Sequence, residues 1–241
     1  MGAVGATISL RASDGEVQTV SPATVTASLL VGSHPWRTFR AHRGQHHYSG
    51  FYWSATMGDH VVYESRLELA RLLFADHDQS VVAIYAQPFL LRATVGGRPR
   101  RHVPDYLLVH GDDSLEVVDV KPEHRLASDR VAEALRWAGE VIGEQGWGYE
   151  VWSEPNPTVL ANLRFVAGSR RPLGIDDGLC SDVLACVSDR ATPIRGVERA
   201  LVDRAPRAAV RAHILHLLWR RQLDADWTVP MDSTASVWVR P

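Results

Sequence analysis

The chain has 241 residues, 45% apolar and 22% charged, which is enough to bury one substantial core, leaves room for a second small domain, and excludes a disordered or fibrous class. A formal net charge of −2 argues against capture of nucleic acid by bulk charge alone, because proteins that work that way carry a basic excess that releases counterions from phosphates. No apolar run approaches the roughly eighteen residues that cross a bilayer, and no basic stretch followed by an apolar one opens the chain, so a cytoplasmic protein without a membrane partner is the expectation.

Residues 1–33 mix Gly, Ser, Thr, Ala and Val without helical or alternating periodicity and read as a flexible lead-in. Residues 34–53 are dense in aromatic and basic side chains, among them Trp36, Arg37, Phe39, Arg40, Tyr48 and Phe51. Such a strip suits either contact along nucleic acid or an edge strand with its loop. His42, His46 and His47 fall within it, but no partner at zinc-site spacing follows, so no zinc centre is expected. Tyr63, Leu67, Ala70 and Phe74 form an apolar stripe at helical spacing and predict a helix over 62–74. β-like runs follow at 81–86, 89–95, 102–109 and 115–120, punctuated by Gly97-Arg98-Pro99 and Gly111-Asp112-Asp113. Ser128 or Asp129 can cap a helix that runs to about Ile142, and 148–152 resumes a strand.

Helix, strands, helix, strand is the order of a mixed α/β domain, here over 34–170, ending at a linker-like Gly168-Ser169-Arg170-Arg171-Pro172. Over 171–241 the texture changes to helical segments at 177–187, 193–202 and 206–222, then β-like runs at 226–229 and 236–239. Three helices and a terminal hairpin is the order of a winged-helix domain. Arg199, Arg204, Arg207, Arg211, Arg220 and Arg221 suit a DNA-facing helix there, while Glu198, Asp203, Asp224 and Asp226 dilute that charge and suit a protein-docking module equally. Cys180 and Cys186 point to different sides of one helix, so neither a disulfide nor a thiolate metal site is expected.

The chemistry concentrates in His102-Val103-Pro104-Asp105-Tyr106 and Val117-Val118-Asp119-Val120-Lys121. Side chains alternate across a strand, so Asp119 and Lys121 share a face, and a hairpin closed at Gly111-Asp112-Asp113 brings Asp105 beside Asp119. Hydrolysis of a phosphodiester needs a hard cation, and Mg²⁺ is held by one or two carboxylates plus waters and substrate oxygens. An adjacent lysine can align or deprotonate the attacking water, or stabilise developing charge, and burial beside a metal would lower its pKa for the first of these two roles. Glu64, on the expected helix upstream, is a further candidate carboxylate; Glu68 and Arg71 suit a surface i, i+3 pair, and either glutamate can be the solvated one. Gln87 suits either a water-positioning amide or a strand-end cap, and His102 reads as a satisfied structural histidine.

Pro-Asp followed fourteen residues later by Asp-x-Lys resembles the PD-(D/E)xK nuclease signature. With Tyr63-Glu64-Ser65-Arg66-Leu67-Glu68 and Gln87-Pro88 ahead of it, and the C-terminal helices and hairpin behind it, the run over roughly 34–230 is similar to TnsA, the endonuclease subunit of heteromeric transposases. The resemblance implies a restriction-endonuclease-like α/β fold, a mixed sheet flanked by helices, followed by a winged-helix domain. It implies cleavage of DNA at the 5′ side of transposon ends, with a DDE transposase subunit and an AAA+ ATPase regulator as partners. By motif, Glu64, Asp105 and Lys121 match the family's catalytic positions. Asp119 stands where the best-known member has Gln, which favours ordinary metal ligation. Glu64, Asp105 and Asp119 are then the expected ligands of Mg²⁺, with Mn²⁺ as a substitute. A stand-alone restriction-like nuclease for defence or repair and a non-catalytic DNA-binding scaffold are the alternatives.

Overall fold

Long-range strand pairing, more than local periodicity, shapes this protein. The computed structural model describes residues 3–31, 33–37, 48–187 and 190–240, and the chain divides into two compact units, Met1–Glu154 and Pro155–Pro241. Both are mixed α/β, with several sheets and eight α-helices among the described residues. No helix there is long and apolar enough to cross a membrane.

The first unit opens with β1 (Val4–Arg11) and β2 (Val17–Val20), then a short α1 (Ala27–Val31). The expected flexible lead-in therefore contains two strands and a short helix, with Ile8 and Leu10 buried as β1 pairs from Val4↔Thr94 to Ser9↔Leu90. A partner some eighty residues away leaves no local signature. A hairpin follows, β3 (Gly50–Ser54) with β4 (Asp59–Tyr63), and then α2 (Arg66–His77). Part of the predicted helix over 62–74 is thus strand. The helix starts at Arg66 because Ser65 and Glu68 form a capping box: Ser65 Oγ accepts from Glu68 N at 3.1 Å, and Glu68 Oε2 accepts from Glu64 N at 2.7 Å. Buried Asp76 near the end of α2 fastens the hairpin, accepting from Tyr52 Oη, Ser54 Oγ, Ala55 N and Thr56 N at 2.6–3.0 Å.

Next come β5 (Val81–Ala86), β6 (Leu90–Val95), β7 (Arg98–His102), β8 (Tyr106–His110), β9 (Leu115–Val120), the short α3 (Glu123–Leu126), α4 (Asp129–Gly143) and β10 (Gly148–Trp152). They complete two four-stranded sheets, β2-β1-β6-β7 and β10-β9-β8-β5. The expected single run over 102–109 is two strands in two sheets, broken at Val103-Pro104-Asp105, where proline has no N–H to offer a ladder. β8 and β9 form the antiparallel hairpin, with Asp113 at φ 65° in its turn, and β10 returns through α4 to lie parallel to β9. One core joins both sheets to α4 through Ile8, Leu91, Leu107, Val117, Trp137 and Ile142, while α2 packs on β4, β5 and β9. With helices near both faces, four consecutive positions of β9, Val117 to Val120, are buried rather than alternating.

The second unit holds α5 (Pro157–Val166), α6 (Asp177–Val187), β11 (Thr192–Pro193), α7 (Ile194–Ala200), α8 (Arg207–Trp219), β12 (Leu223–Ala225) and β13 (Ser236–Val239), with a small sheet ordered β11-β13-β12. The division falls at Glu154/Pro155 rather than near 170, because α5, which periodicity did not reveal, belongs with the C-terminal helices. Asn162 on α5 is buried and donates to the carbonyls of Trp227 and Val229 and accepts from Met231 N, so the expected strand at 226–229 is a loop pinned to that helix.

Candidate active site

Asp105 lies where the chain leaves one sheet for the other. Its backbone N donates to Val118 O at 3.1 Å and its carbonyl accepts from Gln87 N at 2.9 Å, so it is bound to both neighbouring strands just before β8 begins. Its Oδ2 accepts from Val120 N at 2.7 Å and from Lys121 Nζ at 2.8 Å. Lys121 follows the last residue of β9 and is held by its own backbone, its N donating to Trp152 O at 2.9 Å. Nζ also lies 3.7 Å from Asp119 Oδ1, so Asp105, Asp119 and Lys121 converge as the hairpin register requires.

Asp119 is fully buried, an expensive place for a carboxylate unless its oxygens are engaged. Oδ2 is engaged twice, by His102 Nε2 and Tyr149 Oη, both donating at 2.7 Å. Oδ1 is buried without a hydrogen-bond partner among the described residues. Burial opposes ionisation of Asp119, but the His102 hydrogen bond, attraction to His102 and Lys121, and the Tyr149 bond outweigh it and hold the carboxyl below the usual range. Burial first, and then Asp119, raises Asp105 above its ordinary value, with Lys121 pulling the other way. The phenol of Tyr149 is raised by burial and by the Asp119 charge. Burial acts to lower Lys121, yet Asp105 and Asp119 override it and raise the ammonium above its ordinary value. Burial thus acts in the expected direction but is outweighed here, and Lys121 stands as a donor to Asp105 and a positive charge beside Asp119.

Glu64 and Glu68 stand differently from expectation. Glu64 lies between β4 and α2, not on a helix, and pairs with Arg37 at 2.8 Å. Glu68 is turned inward in the first turn of α2, accepts from Ser65 Oγ at 2.9 Å, and is pushed up to about 7 by burial and by Asp105. Arg71 is not its partner; buried, it bonds Glu150 at 2.8 and 3.0 Å. Glu64, Glu68, Asp105 and Lys121 all line one cavity of about 610 Å³. Of the two glutamates the sequence left open, Glu68 is the one turned inward, and the Ser-x-x-Glu capping box was the available signal for it.

No protein-family model matches this chain, and no curated protein matches it.

Gln87 does more than cap a strand end. At φ 47° and buried, it links the site to residues 36 and 37: its carbonyl accepts from Trp36 N at 2.9 Å and its Oε1 from Arg37 N at 3.0 Å. His102 is a partnered residue, as expected, with its ring edge-on to Trp137. His42, His46, His47, Phe39 and Arg40 lie outside the described residues. Among the described residues no group of three or more His, Cys, Asp or Glu side chains is arranged to hold a metal. A two-carboxylate site fits better. Asp119 Oδ1 is buried and accepts no hydrogen bond among the described residues, both hydrogen bonds described for Asp105 fall on Oδ2, and hard oxygen donors in that number suit Mg²⁺ or Mn²⁺ completed by water and substrate.

Proposed function

We propose that this protein is a metal-dependent DNA endonuclease that hydrolyses phosphodiester bonds as the TnsA-type cleaving subunit of a heteromeric transposase. The observation that carries the reading is the convergence of Asp105, the buried Asp119 oxygen that accepts no hydrogen bond among the described residues, and Lys121 at one end of the β8–β9 hairpin. The arrangement of α2, antiparallel β5-β8-β9, α4 and parallel β10 supports a restriction-endonuclease-like core. In the second unit, α6, β11, α7, α8, β12 and β13 with the order β11-β13-β12 support a winged helix.

Asp105 and Asp119 would hold the cation, and Glu68, more than Glu64, stands ready as a further acceptor for water near Asp105. When bound, a hard divalent cation supplies the charge that polarises a phosphoryl oxygen and eases ionisation of an attacking water. Lys121, kept protonated by its two aspartates, orients that water or neutralises charge gathering on the phosphate. His102 and Tyr149 fix the Asp119 carboxylate so that Oδ1 is the oxygen it presents.

The second unit suits docking as well as DNA reading. Arg204 pairs with Asp182 and Asp176, Arg211 with buried Glu198, and Arg221 with Asp224, so three of the six arginines that suited a DNA-facing helix have acidic partners. A transposase subunit and an AAA+ regulator are the partners this reading assigns to it.

Mn²⁺ titration by calorimetry tests the metal site without requiring a partner. Wild type binds and Asp105→Ala does not. No binding to wild type, with or without DNA, sinks the reading, as does strand cleavage by Lys121→Ala at the wild-type rate in the presence of partner subunits.

A further inference from the structure

A second cavity, also about 610 Å³, abuts the acidic one, and Arg101, His102, Lys121 and Arg125 line both. Its charge is opposite in kind. Arg100, Arg101, Lys121, Arg125 and Arg130 line it against a single carboxylate, Glu133, which is occupied by Arg100 at 3.1 Å. Arg101, Arg125 and Arg130 are exposed, and their side chains have no ion pair or hydrogen bond among the described residues. In a chain with net charge −2, three guanidinium groups without ion pairs around one cavity are a concentrated anion site.

Position sharpens the chemistry. Arg101 sits on the edge strand β7, Arg125 on α3 and Arg130 at the start of α4, so three separate elements aim cations into one space. Because Arg101 and Arg125 also border the Asp105 cavity, an anion held in the basic one continues directly toward the carboxylates. Two abutting cavities of this size suit an extended polyanion rather than a single small one. We infer that the basic cavity binds the phosphodiester backbone of the DNA strand flanking the phosphate at Asp105 and Asp119, with Arg101, Arg125 and Arg130 as the phosphate contacts. The order of the strand rests on the nuclease reading; the phosphate affinity does not.

The test is fluorescence anisotropy of a labelled DNA duplex with the full chain in EDTA, over a range of salt concentrations. For the triple variant Arg101→Ala, Arg125→Ala, Arg130→Ala, affinity at low salt falls by about tenfold or more, and the slope of log K against log salt shrinks by about 2–3 for three lost phosphate contacts. Arg98→Ala, exposed on the same strand but outside the cavity, changes affinity by less than about twofold. The triple Arg→Lys variant, which keeps the charges, recovers most of the lost affinity, and that recovery separates lost charge from a damaged fold. Wild-type affinity and slope in the alanine triple overturn the inference. So does a wild-type chain that fails to bind, or inorganic phosphate that displaces the duplex at equal phosphate concentration, which marks a single-anion pocket. Loss of Mn²⁺ binding in Asp105→Ala is read separately, so failure of the metal site and failure of the phosphate site remain distinct results.

Discussion

Gly139→Ala is the sharpest probe of how the helix layer supports the site. Gly139 lies inside α4, where alanine in place of glycine favours an isolated helix by about 1 kcal/mol. Here a Cβ would stand 2.6 Å from Tyr149 Cδ1 and 2.8 Å from Cε1, closer than packed carbons approach. The ring of Tyr149 must move, and its hydroxyl is one of only two donors to the buried Asp119 carboxylate. Overpacking costs about 1–3 kcal/mol and a lost hydrogen bond to a charged group about 1.5–3, so after the helical gain the net loss is about 1.5–5 kcal/mol. Urea denaturation of wild type and Gly139→Ala measures it. The same substitution in a Tyr149→Ala background meets no ring and becomes stabilising by about 1 kcal/mol. Gly139→Ala as stable as wild type, or equal costs in both backgrounds, would refute the argument that this glycine makes room for the tyrosine that orients Asp119.

Glu68→Gln keeps the capping pattern but removes a carboxyl held near about 7 against 4.5 for the free side chain. Between those values the folded chain retains a proton that the unfolded chain has released, so wild-type stability falls as pH rises through this window, by on the order of 2–3 kcal/mol. The glutamine variant shows a flatter profile of melting temperature against pH and is the more stable form at mildly alkaline pH. Asp76→Ala strips the shared acceptor from four donors on the β3–β4 hairpin and costs about 3–5 kcal/mol, with amide exchange rising first in residues 50–63. Ser65→Ala removes the N-cap of α2 and costs about 1 kcal/mol in thermal melts, with Glu68 freed from its hydroxyl partner.

Strand alternation and a turn signature were enough to foresee the β8–β9 hairpin and the meeting of Asp105 with Asp119 and Lys121, because all of it lies within seventeen residues and depends on local register. Helix α4 and strand β10 were legible for similar reasons. The order of β1 and β2 was not, since their partner β6 lies far along the chain and their small residues carry no strong pattern. Apolar spacing across 63–74 extended a helix into strand β4, where the cap at Ser65 should have stopped it. Glu64 came forward chiefly through the TnsA resemblance, with either glutamate open as the solvated one, and the structure sets Glu64 ahead of α2 and Glu68 within its first turn. His102 was correctly read as satisfied, but its partner, Asp119, was beyond reach, because β7 and β9 belong to different sheets and only tertiary packing brings them together.

Gln87 places a narrow limit on which residues that position can hold. Its backbone is in the left-handed region at φ 47°, which glycine, asparagine and a few others adopt at low cost. Glycine would relax the backbone but release Arg37 N from Oε1. Asparagine would keep an amide but fall one carbon short of the same N–H. Glutamate would keep the length and set another negative charge one hydrogen bond from the Asp105 backbone, close to carboxylates that already compete for Lys121. Each alternative satisfies one of the demands on residue 87 and fails another, so natural variation there should be scant and confined to chains that have also rebuilt the segment around Trp36 and Arg37.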